Sequence, residues 1–251
     1  MDQPYYRPDL ARIHHLGFSF HAEDTAPGIL SLLEPVRGGT VLEIGCGSGL
    51  LTRYLVEAGH QVIATDASSA MLELARGHVG EGADIQRLTL PDDPIPETDA
   101  IVGVGHALNY LDEADQVDRA LVAIARALRP GGVLAIDLCD LEWAAARLDQ
   151  RPVGWTGEDW ALITEFSVPS PDRYVRQMAT FTRNEDGTTW RRDDERHDNV
   201  MVDVSMVPAL LAEHGVDATP GDAFGDERLP VGLKTIVGRK TGAWSTRTRD
   251  A

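Results

Sequence analysis

Apolar positions along the chain follow one pattern up to about residue 140 and another beyond it. In the first part, short apolar runs alternate with stretches of helical spacing. Residues 40–44 form a nearly unbroken apolar run between Gly38-Gly39 and Gly45, as expected of a strand buried on both faces. Residues 50–58 place Leu51, Tyr54, Leu55 and Ala58 on one helical face and stop at Gly59. Strands are predicted over 62–65, 83–86 (weakly), 99–104 and 133–136. Helices are predicted over 69–76 and from a cap at Asp112 through Val117, Leu121, Ile124 and Leu128, stopped by Pro130-Gly131-Gly132. Ahead of these, residues 1–36 read as a loop and then a helix through Ile29, Leu30, Leu32 and Leu33. Strands alternating with helices predict an α/β fold with a doubly wound, mostly parallel sheet.

The second pattern is antiparallel. Strand-like segments at 161–168, 174–183 and 188–200 are separated by Pro169-Ser170-Pro171-Asp172 and Asn184-Glu185-Asp186-Gly187, which reads as a β meander inserted after the fifth strand. A helix over 205–214 ends at Gly215, strands follow at 216–218 and 233–237, and the polar stretch from Thr241 reads as a mobile tail. The expected division is therefore an N-terminal segment 1–36, an α/β core 37–140, an insertion 141–204, a return to the core 205–240 and a tail 241–251.

Composition narrows the function classes. With 251 residues the chain suits one large domain or one domain with an elaboration. Its net charge of −17 would repel a phosphate backbone, so nucleic acid is not an expected partner. No apolar run approaches the roughly 20 residues of a membrane span, and the first residues lack a signal-peptide pattern, so the expected location is cytoplasmic, without membrane. Cys46 and Cys139 are expected to be small buried residues, neither a disulfide nor a zinc site.

The chemistry concentrates in Glu43-Ile44-Gly45-Cys46-Gly47-Ser48-Gly49, a glycine loop between a buried strand and a helix start, where nucleotide-type cofactors bind. A dinucleotide fingerprint wants its third glycine where Leu50 stands, which disfavours NAD and FAD. Asp66 ends the second strand about 20 residues on, where a carboxylate takes ribose hydroxyls. Glu43 would repel a pyrophosphate and welcome an ammonium. A ribose-bearing ligand with a cationic end and no phosphate is S-adenosylmethionine, and residues 41–49 resemble the first motif of class I S-adenosylmethionine-dependent methyltransferases. Asp66 and Leu128-Arg129-Pro130-Gly131-Gly132-Val133-Leu134 are also typical of that family, and the resemblance covers residues 38–140.

The resemblance implies a seven-stranded Rossmann-like sheet whose last strand is antiparallel, with S-adenosyl-L-methionine as cofactor. It implies that Gly45, Cys46, Gly47 and Gly49 back the methionine part, that Glu43 anchors the loop and the amino group, and that Asp66 holds the ribose. Ala67 and Met71 would lie against the adenine, with ordinary core packing the alternative for Met71. The acidic residue many relatives carry after the third strand is missing from 86–91, so Gln86 or the backbone near Leu88 would replace it. Gly105 would line the same crevice. Tyr6, with Tyr5, would close over the cofactor, or the terminus would be disordered.

For the acceptor, His106 follows the fourth strand, whose carboxyl end faces the ligand crevice. It is a candidate catalytic base for a hydroxyl, or a packing residue. Asn109 and Tyr110 are candidates for substrate contact, against turn-forming and packing roles. Neither the Pro-rich amine-binding tetrapeptide nor the paired-glutamate loop of relatives acting on macromolecules is present, which leaves a small-molecule methyl acceptor. Asp137 and Asp140 could suggest a metal, but a strand end and a helix cap account for them, so no metal is expected. The meander bears Trp160, Arg176, Trp190, Arg192, Glu195 and His197, a mixture of aromatic and charged groups unlike a plain solvent face; Trp160, Trp190, Arg192 and His197 would form an acceptor lid, an arrangement that resembles sugar-amine N-methyltransferases. A homodimer interface is the other reading of that sheet. The run from Arg191 to Arg196 reads as surface pairing. The function expected is small-molecule N- or O-methyl transfer. Its rivals are a non-catalytic S-adenosylmethionine-binding protein and a nicotinamide-dependent oxidoreductase.

Overall fold

The computed structural model describes residues 5–184 and 186–242, so most of the expected tail lies outside the described residues. Five strands, β1 (Thr40–Ile44), β2 (Gln61–Asp66), β3 (Ala83–Arg87), β4 (Thr98–Gly103) and β5 (Leu128–Cys139), run parallel. Two late strands, β10 (Val216–Gly221) and β11 (Leu233–Lys240), complete a seven-stranded sheet in the order β10-β11-β5-β4-β1-β2-β3, with β11 antiparallel to both neighbours. The strand order reverses between β1 and β4, so their carboxyl ends open the crevice where ligands of such sheets bind.

β1 shows why its residues make a central strand. Val41 packs into one apolar cluster with Ile29 and Leu33 of α2 (Phe20–Leu33) and Leu51 and Leu55 of α3 (Leu50–Glu57). Leu42 and Ile44 point the other way, to Leu121 and Ile124 of α5 (Ala114–Ala127) and Leu211 of α7 (Val207–Ala212). The nearly unbroken apolar run thus reflects helices on both faces of the sheet. Helix α4 (Ser69–Val79) starts at the end of β2, where Ser68 Oγ accepts from Met71 N–H. No described helix is long and apolar enough to cross a membrane.

Between β5 and β10 lie a short helix α6 (Leu141–Ala145) and a four-stranded antiparallel sheet: β6 (Val153–Thr156), β7 (Trp160–Ser170), β8 (Arg173–Arg183) and β9 (Trp190–Val200). β6 was not foreseen, since Val-Gly-Trp-Thr is too short to show alternation. Nor was α1 (Pro8–Gly17), which takes the place of the predicted loop; it buries Leu10 and Ile13 against Trp160, Leu162 and Met178, contacts made by the insertion and invisible in local periodicity. The N-cap of α5 is Glu113 rather than Asp112, and both backbone N–H groups donate to Gln116 Oε1.

Asn109, a candidate for acceptor contact with a turn-forming role as the alternative, is tied into backbone on three sides. It is fully buried in the turn after β4, accepts from Cys139 N–H at 2.8 Å and donates to Cys139 O at 3.2 Å and Val200 O at 2.6 Å. It joins the crevice turn, the end of β5 and the end of β9. Asn109→Ala leaves these buried backbone groups without partners and is expected to cost about 2–4 kcal/mol in urea unfolding; a loss under about 0.5 kcal/mol would remove this role.

Candidate active site

The glycine loop leaves β1 with Gly45 at φ +68°, and a Cβ there would lie 2.5 Å from that of Ala107 in the turn after β4. Only glycine lets the two loops meet this closely. Gly105, at φ +89°, has open space where a Cβ would stand, and that space is the cavity. The loops are fixed by carboxylates. Asp66 accepts from Gly47 N–H at 2.9 Å and from Ser68 N–H at 2.7 Å. Asp137 accepts from the N–H groups of Gly105, at 2.9 Å, and His106, whose φ is +52°. Burial pushes Asp137 up to about 6, against the pull of these backbone donors.

A cavity of about 370 Å³ lies over these loops, with Gly45, Gly47, Asp66, Ala67, Met71 and Leu88 on one side and Gly105, Leu108, Tyr110 and Asp112 on another. The N-terminal segment closes it. Ser68 Oγ donates to Tyr6 O at 2.8 Å, Tyr6 Oη and Tyr110 Oη lie 2.9 Å apart, and Arg7 N–H donates to Glu195 Oε1 at 2.8 Å. The segment therefore bridges the core and the meander. Asp66, Asp92 and Asp112 line the cavity, and no lining residue is Lys or Arg. Such a lining suits a cationic ligand and opposes a pyrophosphate. Asp66 keeps lone pairs for two ribose hydroxyls beyond its two backbone donors.

Three comparisons agree with this geometry. Residues 41–132 match the family model described as "Methyltransferase domain". The chain is 30% identical over 188 residues to the ubiquinone biosynthesis O-methyltransferase of Paramagnetospirillum magneticum, covering 68% of this chain and 74% of that protein. The chain belongs to the class I S-adenosylmethionine-dependent methyltransferases. It is thus an enzyme whose cofactor is S-adenosylmethionine. Among solved structures, a S-adenosylmethionine-dependent methyltransferase from Clostridium acetobutylicum superposes with a TM-score of 0.77 at 18% identity, over 92% of this chain and 98% of that one. The amino pentose methyltransferase of Micromonospora echinaspora, solved with S-adenosylmethionine bound, gives 0.71 at 20% identity, over 96% and 100%. At these identities the likeness speaks for the fold. The chain spans about half the length of other curated relatives, 56% and 49% in two cases.

Of the residues expected around the methyltransferase cofactor, the structure gathers Tyr6, Gly45, Gly47, Asp66, Ala67, Met71, Leu88 and Gly105 at the cavity. Gly49 and Cys46 sit behind it: a Cβ on Gly49 would strike Val79 of α4, and Cys46 is a buried free thiol whose N–H donates to Thr65 O. Glu43 lies under the loop, accepting from Thr52 Oγ1 at 2.7 Å, so it acts on the loop rather than lining the cavity. Gln86 turns to Asp84, leaving Leu88 at that position.

The acceptor expectations need more correction. Tyr110 lines the cavity. His106 does not; its ring stacks on Tyr110 and tilts against Trp143, and burial lowers its pKa well below 6.5, which makes it a poor base. His197 is fully buried, its ring centroid 4.9 Å from those of Tyr5 and Tyr6. Trp160 packs on α1, Trp190 is 47% exposed under Arg183, and Arg192 pairs with Asp194 at the surface, so none of these three reaches the cavity. Strand alternation explains the split: Glu195, His197 and Asn199 are the buried face of β9, while Trp190, Arg192 and Asp194 lie on the opposite one. The charge run is also not purely self-paired, since Asp193 takes Arg7 and Arg191 takes Asp9. Sequence reasoning named Asp137 only as a strand end or possible metal ligand, and Arg176 and Glu195 only as part of the meander's mixed set; it did not foresee that Asp137 holds the turn after β4, that Arg176 stands behind Tyr110 or that Glu195 takes Arg7 N–H. Of these roles, only that of Asp137 had a visible signal, an acid inside an apolar strand.

Burial raises Glu43 from 4.5 to about 8, against the Thr52 hydroxyl bond. The folded protein holds this proton longer than the unfolded chain, so its contribution is complete below about pH 4.5 and is lost as pH rises toward about 8. Glu43→Gln keeps an acceptor for Thr52 and is expected to make the fall in stability between about pH 5 and about pH 8 shallower; unfolding curves parallel to the parent's would remove Glu43 from this role.

Proposed function

We propose that the chain transfers the methyl group of S-adenosylmethionine to a small molecule bound where the turn after β4, the N-terminal segment and the meander meet. The observation that carries this reading is the composition of the cavity: a ribose-binding carboxylate, an acidic lining without cations, and a rim closed by Tyr6 and Tyr110. The names of the quoted relatives, a ubiquinone biosynthesis O-methyltransferase and an amino pentose methyltransferase, support a small acceptor. The net charge of −17 speaks against nucleic acid.

The bound sulfonium supplies an activated methyl group. What the chain adds is alignment and exclusion of water. Asp66 fixes the ribose, Met71 and Leu88 flank the base, and the Tyr5–Tyr6 segment covers the opening. An amine acceptor needs only to arrive neutral; a hydroxyl acceptor needs a proton acceptor, and buried His106 is not part of this proposal for that role. The meander serves as the outer layer of the acceptor lid: Arg176 and His197 back Tyr110, and Glu195 holds Arg7 next to Tyr6. Its outer face, with Ile163 and Trp190 exposed on one side of the sheet by register, suits a homodimer contact as well.

Calorimetry with S-adenosylhomocysteine and with NAD tests the cofactor reading, and the former is expected to bind while the latter does not. In Asp66→Ala the loss of charge-assisted bonds at about 1.5–3 kcal/mol each should weaken S-adenosylhomocysteine at least about tenfold, with Asp66→Asn intermediate. Radiolabelled transfer to a small-molecule panel, beside total RNA and DNA, tests the acceptor reading. Label appearing only in nucleic acid would overturn it.

A further inference from the structure

Behind the acid-lined cavity the charge pattern reverses. Arg176, in the middle of β8, has no carboxylate partner among the described residues. Its Nη2 donates to Tyr110 Oη, and its Cζ lies 5.7 Å from the Tyr110 ring centroid. Nε of Arg176 is buried without a hydrogen-bond partner, and so are Nδ1 of His197, directly opposite on β9, and Nδ1 of His14, which lines the cavity. Glu195, on the same face of β9, is already committed to Arg7 N–H and His197 Nε2. Burial holds His14 at about 4 and His197 at about 2, so both are neutral and Arg176 carries the charge of the cluster.

A buried cation without a counter-charge is costly, and unsatisfied buried nitrogens add to the cost. Here Arg176 and His197 lie against Tyr110 and His14 lies against Tyr6, two residues that wall the cavity. We propose that Arg176, with the Tyr6 and Tyr110 hydroxyls in front of it, binds a carboxylate of the methyl acceptor. This deepens the methyltransferase reading above and rests on it. The two hydroxyls bond each other at 2.9 Å, and either one, turned toward a carboxylate, becomes a donor beside the guanidinium. A dianionic phosphate fits worse, because one guanidinium balances one charge and Asp112 lines the same cavity.

The test uses the full chain saturated with S-adenosylhomocysteine and titrated calorimetrically at fixed ionic strength. The probes are 4-hydroxybenzoate, phenylacetate and hexanoate, each beside its primary amide, with phenyl phosphate as the rival anion. At least one acid is expected to bind at least about tenfold tighter than its amide, and Arg176→Gln should abolish that preference while S-adenosylhomocysteine affinity changes by less than about threefold. Equal binding of acids and amides, no binding by any acid, tighter binding of phenyl phosphate, or a preference that survives Arg176→Gln would each overturn the proposal. If Arg176→Gln does not fold, the acid–amide comparison in the parent decides alone. Failure of the parent to bind S-adenosylhomocysteine at all would instead overturn the methyltransferase reading, so the two failures are distinguishable.

Discussion

Buried carboxylates at the ends of strands hold the site together by accepting hydrogen bonds from loop backbones. Asp66 does this for Gly47 and Ser68, and Asp137 for Gly105 and His106. Both loops need backbone with positive φ, at Gly45, Gly47, Gly105 and His106, which costs free energy for the one residue that is not glycine. A carboxylate bonded to two N–H groups fixes such a turn more firmly than packing against small residues can. Burial still raises both acids, because desolvation exceeds what the backbone donors return. The crevice is thus a strained arrangement that the surrounding sheet over-determines.

The second dependence runs through the N-terminal segment and the meander. Tyr6, at φ +53°, is tied to Ser68 through its carbonyl, while Arg7 reaches Glu195 and Asp193 on β9. The Arg7–Asp193 pair is partly exposed and worth little by itself. The bond from Arg7 N–H to buried Glu195 is of a different kind, since breaking it leaves one oxygen of a buried carboxylate without its donor, with His197 Nε2 on the other. One short stretch of chain therefore ties the glycine-loop side of the cavity to the meander.

Much of this architecture was legible in the sequence, and the reasons are local. The nearly continuous run Val41-Leu42-Glu43-Ile44, the glycine spacing and Asp66 each encode their environment within a few residues, so the parallel core and the meander could be read, and the glycine loop and Asp66 fall at the cavity. What failed was long-range. Asn109 looked like a site residue because it follows the fourth strand, yet its partners lie 30 and 91 residues away. Trp190 and Arg192 looked functional by composition, but a strand turns alternate residues to opposite faces, and the three-dimensional setting decided which face was covered. Arg176 stood out only as one member of a mixed aromatic and charged set in the meander, because an arginine between Val175 and Gln177 becomes unusual by itself only when its neighbours prove to be phenols and neutral histidines.

The charge distribution gives the cavity a direction. Acids line the part formed by Asp66, Asp92 and Asp112, while the cation Arg176 stands behind Tyr110 with no acid beside it. In a low-dielectric site these opposed ends act on a ligand more strongly than the same charges in water. A cofactor with a cationic sulfonium and ammonium is drawn toward the acidic wall, whereas an acceptor bearing a carboxylate is drawn the opposite way, toward the meander. The acceptor's reactive atom then falls between the two, facing the cofactor. On the carboxylate proposal the electrostatics that oppose a pyrophosphate at the glycine loop would also orient the acceptor, giving Arg176, which has no carboxylate partner among the described residues, its counter-charge from the ligand.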